Sequence, residues 1–182
     1  MKLVVGDVIR LTKIDAARRQ LRTAIRMFFE KRDAVSIHTL ASAAQELLRD
    51  LLKAKGEQGS FIKDNTDLIE PEGLKLWFEA VNRAQNFFKH ADLNPNAILD
   101  FHLSLVPIAL HDSAMMYRKL TGHALREGAV FCLWFSLKYP RFLTPGAYAD
   151  ALKKAKLEGA DPEDRAMFLG LLDHPEFWSD AD

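Results

Sequence analysis

Apolar residues recur at helical spacing along most of this chain. Between Lys13 and Lys31, Ile14, Ala17, Leu21, Ile25 and Phe28 repeat three and four apart, which builds one apolar stripe on a helix. Arg18, Arg22 and Arg26 fall four apart on another face. They read either as a solvated row with local partners such as Asp15 or Glu30, or as a row facing an anion. Asp33 suits the N-cap of a second helix, because its carboxylate can accept an orphan backbone N–H. Ile37, Leu40, Ala41, Ala44, Leu47, Leu48 and Leu51 mark the buried face of that helix, and Gly56 suits its C-terminal cap. The short link predicts an antiparallel hairpin of the two helices. The segment "GEQGSFIKDNTD" then has the glycines and polar residues of a connecting loop.

A third helix is predicted from about Pro71, tolerated in a first turn, to about Ala91. Its core stripe is Leu74, Trp77, Val81, Ala84 and Phe88. Next the period changes. Leu99, Phe101, Leu103 and Leu105 alternate with polar residues, which predicts a short extended piece that could touch the β-branched N-terminal arm "LVVGDVIRL". A fourth helix follows from near Ser104 to Thr121, with Pro107 in its first turn and Gly122 as its stop. Ala124 to Lys138 is apolar nearly all round and so predicts a central helix, closed by Pro140. Two short helices end the pattern, one capped by Thr144 and Pro145, the other by Asp161 and Pro162.

The fold class expected from this pattern is all-α: an up-and-down bundle of about five long helices plus short C-terminal helices, with at most a minor extended element. Residues 1–182 read as a single helical domain. Residues 1–122 form its bundle core, and residues 123–182 add helices that read as a C-terminal subdomain or a flap. The composition fits one globular domain, with 48% hydrophobic and 27% charged residues in 182. Lys+Arg and Asp+Glu are both 25, so bulk charge offers no argument for nucleic-acid binding, and only a local basic patch remains open. Cys132 is the one cysteine, which excludes an intrachain disulfide and favours a reducing compartment. No apolar run reaches the roughly 18–20 residues needed to span a bilayer. The N-terminus does not read as a signal peptide. A cytoplasmic protein without membrane association is expected.

The stretch "NRAQNFFKHADLNP" holds the sharpest chemistry. On a helical wheel with Arg83 at zero, Glu79, Asn86 and His90 fall within about 60° of it, while the apolar stripe lies at about 100–180°. Phe87 falls near 40°, at the edge of the polar face, where leaving a phenyl ring in water is unfavourable. A cover is therefore expected over this face: another helix, the extended segment or a second subunit. Two plainer readings stand beside this one. Arg83 can pair with Glu79 one turn earlier, and Lys89 and His90 sit where cations favour a helix C-terminus.

"RAQNFFKH", an arginine with a histidine six intervening residues later near a helix end, resembles the motif of HEPN domains. The position after the arginine, often polar in that family, is Ala84 here. The resemblance implies a compact helical bundle, a homodimer whose two motifs build one site, and in many members metal-independent RNA cleavage. It assigns the catalytic positions to Arg83 and His90, with Asn86 as an accessory polar residue. It calls for no cofactor and no metal. The alternative is a non-catalytic helical interaction or regulatory module, for which the same strip contacts a protein partner.

Other chemistry is thin. The histidines are His38, His90, His102, His111, His123 and His174, and no HxxxH or HExxH spacing occurs. A composite metal site would need His38, His90 and His111 to converge from separate helices. There is no Walker loop, GxGxxG, CxxC or GxSxG. Cys132, in "AVFCLWF", reads as a small core residue.

Overall fold

Thr12 opens the first helix with a reciprocal cap. Its hydroxyl accepts from Asp15 N at 3.2 Å, and the Asp15 carboxylate accepts from Thr12 N at 3.1 Å. Helix α1 then runs Lys13–Phe29 and α2 runs Ala34–Ala54, with Asp33 as the N-cap accepting from Ser36 N at 2.7 Å. The turn between them places Lys31 in the left-handed region, at φ 56°. This lets Arg32 N reach back to Met27 O at 2.9 Å and close α1. The computed structural model describes residues 7–65, 70–92, 94–142 and 149–174. Its remaining elements are a 3₁₀ turn at Pro71–Gly73 leading into α3 (Leu74–Lys89), α4 (Leu105–Thr121), α5 (Arg126–Lys138), a second 3₁₀ turn at Pro140–Phe142, α6 (Ala149–Leu157) and α7 (Arg165–Asp173). The described residues contain no strand. The all-α expectation holds.

The core is built where α1, α2, α4 and α5 meet, and Phe168 and Leu172 of α7 belong to the same apolar cluster. The aromatic end of α1 packs against the aromatic face of α5: Phe28 meets Trp134 at 4.7 Å and Phe131 at 5.2 Å, edge to face. Phe29 stacks on Phe168 at 5.7 Å. Arg165 lies over the Phe28 ring at 4.1 Å and donates to Phe28 O, so the first turn of α7 is pinned to the end of α1. Cys132 is buried, as a small core residue should be.

The loop after α2 is not a slack connection. It folds back onto α2 and α4 around one buried carboxylate. Asp112 of α4 accepts from Gln45 Nε2 at 2.6 Å, Ser60 Oγ at 2.7 Å and Phe61 N at 2.6 Å. Asp64 accepts from Gly59 N, Ser60 N and Arg49 Nε. Burial works to raise the Asp64 pKa, but those donors outweigh it and hold the carboxyl below its usual range. At Asp112 burial prevails and the pKa rises despite the three donors. Gly59 makes the close approach possible: a Cβ there would sit 2.2 Å from Leu52 Cδ1 and 3.2 Å from Met116 Cγ.

Several expectations are corrected. On α2 the buried face is rotated: His38, Ser42 and Gln45 are buried, while Leu40, Leu47 and Leu51 are only half-buried. The polar residues turn inward because Asp112, the loop and the rings of Phe88 and Phe101 meet them there. The extended piece is extended without being a strand. Leu99 and Phe101 are half-buried and Ile98, Asp100 and His102 exposed, yet no described strand pairs with it, and residues 7–12 of the arm are exposed. The last helix is capped by Asp164, which accepts from Ala166 N and Met167 N, because Asp161 is used in a preceding turn to bind Glu163 N. Thr144, Pro145 and the first six residues lie outside the described residues.

Candidate functional site

Helix α3 lies at the edge of the bundle. Its own pattern made it amphipathic, but of the predicted core stripe only Ala84 is buried. Leu74, Val81 and Phe88 are half-buried, and Trp77 is exposed. Three side chains fasten it. Phe88 meets Phe101 at 5.2 Å and His38 at 6.0 Å, both edge to face. Gln85 Oε1 accepts from Lys63 Nζ at 3.3 Å. Trp77 Nε1 donates to Ile62 O at 3.1 Å. All three fastenings involve polar or aromatic groups beside α2 and the folded-back loop, which is why the apolar stripe alone did not locate the helix.

Lys63 and His38 form the polar bed beneath α3. The Lys63 ammonium is 2% exposed and is paired with Glu46. His38 is buried, and its Nδ1 makes no hydrogen bond among the described residues. Burial, and then the Lys63 charge, lower the His38 pKa to about 4, so the ring is neutral at pH 7. His111 is a second inward histidine, half-buried in α4. It stacks on Phe135 at 4.2 Å, and burial lowers its pKa to about 4. Sequence reading passed over Lys63, Gln45 and Asp112; the available signal was an acid, Asp112, inside the apolar run of α4.

The outer face of α3 carries the residues singled out by sequence. Arg83, Asn86, Phe87 and His90 are all exposed on it. His90 caps the helix C-terminus: its N–H bonds Asn86 O at 3.0 Å, and its extended backbone leads the chain away. The His90 Nδ1 stands 3.9 Å from Asp92 Oδ1. Glu79, the expected partner of Arg83, lies instead 3.9 Å from Lys75 Nζ. Among the described residues Arg83 forms no ion pair. Seven residues of helix put Arg83 and His90 about 10 Å apart along the axis. Phe87 remains 39% exposed, and among the described aromatic rings it meets Phe88 edge to face. Leu76, on the same side about three turns earlier, is 72% exposed. The face can therefore bind an anion through Arg83, move a proton at His90, and present a flat apolar ring between them.

The arginine row of α1 resolves differently along its length. Arg18 pairs with Asp15 at 3.3 Å, as the local reading expected. Arg22 and Arg26 reach instead to Glu127 at the start of α5, at 3.0 and 3.7 Å, and Arg26 also reaches Asp173 at 2.9 Å. Glu30 pairs with Arg32. The row is a clamp between helices. No group of three or more His, Cys, Asp or Glu side chains converges as metal ligands among the described residues. No described helix is long and apolar enough to cross a membrane.

Comparison with protein-family models, with curated proteins and with solved structures returned no match.

Proposed function

We propose that this chain is a HEPN-like protein that cleaves RNA without a metal ion, acting as a homodimer whose two α3 helices face one another. The single observation that carries the reading is the outer face of α3, where Arg83, Asn86 and His90 lie exposed around the partly exposed ring of Phe87. In this chemistry a base removes the proton of a ribose 2′-hydroxyl, whose oxygen attacks the adjacent phosphorus. The phosphorane collapses with departure of the 5′-oxygen, which receives a proton from an acid. Arg83 neutralises the charge on the phosphorane oxygens through its planar fork of donors. One His90 serves as base and the His90 of the second copy as acid, since one imidazole cannot fill both roles at once. A two-fold axis at Phe87 also supplies the missing cover for that ring and brings each Arg83 toward the opposite His90.

The experiment is cleavage of a fluorogenic RNA in EDTA by the wild type and by Arg83→Ala and His90→Ala, with sedimentation of each. Loss of cleavage in both variants with an unchanged oligomeric state is expected. Full activity in both variants overturns the assignment. The second reading, a non-catalytic interaction module, is favoured by the exposed Leu76 and Phe87, which suit a protein surface as well as an RNA one. It predicts no cleavage by the wild type and loss of partner binding in Phe87→Ser.

A further inference from the structure

We propose that the groove between α4, α5, α6 and α7 binds an uncharged, hydrocarbon-rich molecule. No described residue of α3 lines it, so it is separate from the α3 face. It holds about 450 Å³ and is partly open to solvent. A cavity of roughly 150 Å³ with apolar walls takes up benzene, so this space suits roughly a dozen carbon atoms. Where α4 meets α5 the side chains stop short, at Ala114, Gly128 and Ala129. Gly128 helps to set the depth, for a Cβ on it would lie 3.4 Å from Ala114 Cβ. Ala129 and Leu133 of α5 and Met167 of α7 line the groove and are only half-buried, so apolar surface faces water there. A hydrocarbon in the groove removes that surface from water and gains dispersion contact with the lining.

The chemistry of the lining sets the class of ligand. Apart from Arg118, Lys154 and Glu158, every described lining residue is Ala, Gly, Val, Leu, Met, Phe or Cys. None of these brings a hydroxyl, an amide or an imidazole, and helix backbone groups are bonded within their own helices. Polar groups along the body of a ligand would be buried unpaired, a penalty that a hydrocarbon body does not carry. The three charged residues are exposed, which puts them at the rim. Lys154 and Glu158 stand 3.9 Å apart and offset one another. Arg118 has an interaction of its own. A ligand without charge leaves these rim contacts as they are, and a single hydroxyl at its end reaches water at the opening.

The test is calorimetric titration with 1-decanol, decanoate and decyltrimethylammonium, three head groups on one chain, together with NMR of the methionine methyl groups. Decanol is expected to bind one to one, and about tenfold more tightly than either charged analogue. It should shift the methyl signals of Met115 and Met167, which line the groove, and leave that of Met27 in α1 in place. Ala129→Phe puts a ring into the space from a half-buried position and is expected to weaken decanol about tenfold. Ala124→Phe, at the exposed rim, acts in the same direction with less risk to folding. Absence of decanol binding overturns the proposal. So does a charged analogue that binds as tightly as decanol, binding that leaves the Met115 and Met167 signals unmoved, or undiminished binding in the folded variants.

Discussion

Arg22 of α1 donates through Nε to the carboxylate of Glu127, 105 residues later, at 3.0 Å. Glu127 is 1% exposed and Arg22 is 49% exposed, so the pair joins a buried charge to a solvated one. Its second oxygen, Oε2, is buried without a hydrogen bond among the described residues. The arginines are therefore what makes the buried charge tolerable. Glu127→Ala is expected to destabilise by about 2 kcal/mol, with Arg22→Ala costing less because solvent and Arg26 replace part of its effect. A double-mutant cycle by urea unfolding should give a coupling of about 1 kcal/mol. Additivity of the two substitutions would mean that the contact contributes nothing.

Gly59 tests whether the folded-back loop is part of the core. Gly59→Ala places a methyl group against Leu52, which is fully buried and has little room to move. A loss of about 1–3 kcal/mol in urea unfolding is expected, accompanied by faster hydrogen exchange at Phe61 N, whose acceptor is Asp112. A neutral outcome would show that the loop yields without consequence for the bundle.

Lys31 offers the opposite sign. It holds a left-handed backbone at φ 56°, where a side chain is strained and glycine is not. Lys31→Gly is expected to stabilise by about 1 kcal/mol, raising the urea midpoint without changing the slope. Destabilisation would mean that the entropy of the unfolded glycine outweighs the relieved strain.

Acid should loosen the fold through two histidines. His38 and His111 bind protons near pH 6.5 when unfolded but only near pH 4 when folded. Between those values the unfolded state holds more protons, so stability falls as pH drops from 6.5 through 4, by at most about 1.4 kcal/mol per pH unit for each ring. Asp112, with its raised pKa, opposes this at the lower end of the window, since its folded form gains a proton more easily. Urea midpoints measured across the window should decline, and the slope should flatten in His38→Gln with His111→Gln. An unchanged slope in the double variant would assign the decline to other groups. Because His38 supports Phe88, exchange of the α3 amides should accelerate first.

Phe87 separates the monomer from the assembly. The ring is exposed on α3, so Phe87→Ser should change the stability of the isolated chain by less than about 0.5 kcal/mol. Under the dimeric reading the same change should convert the dimer to monomer in sedimentation. A dimer of undiminished affinity would place the interface elsewhere.

The helical frame was readable in the chain because it depends on local patterns. Apolar spacing along α1, the Asp33 cap, the stop at Gly122 and the apolar run of α5 each act within a turn or two of their own position. The outward direction of Arg83, Asn86 and His90 was readable for the same reason: it follows from their angle on the helix. Other features depended on contacts distant in sequence. Only the fold brought Glu127 to Arg22, Asp112 to Ser60, and Lys63 to Glu46, pairs whose members lie on different elements. Those long-range pairs rotated the buried face of α2, turned a polar loop into a docked segment, and left α3 at the edge of the bundle rather than within it. A periodic pattern states which side of a helix prefers to be dry. How dry that side becomes is set by the neighbours available, and for α3 the neighbours are one face of α2, the loop and Phe101.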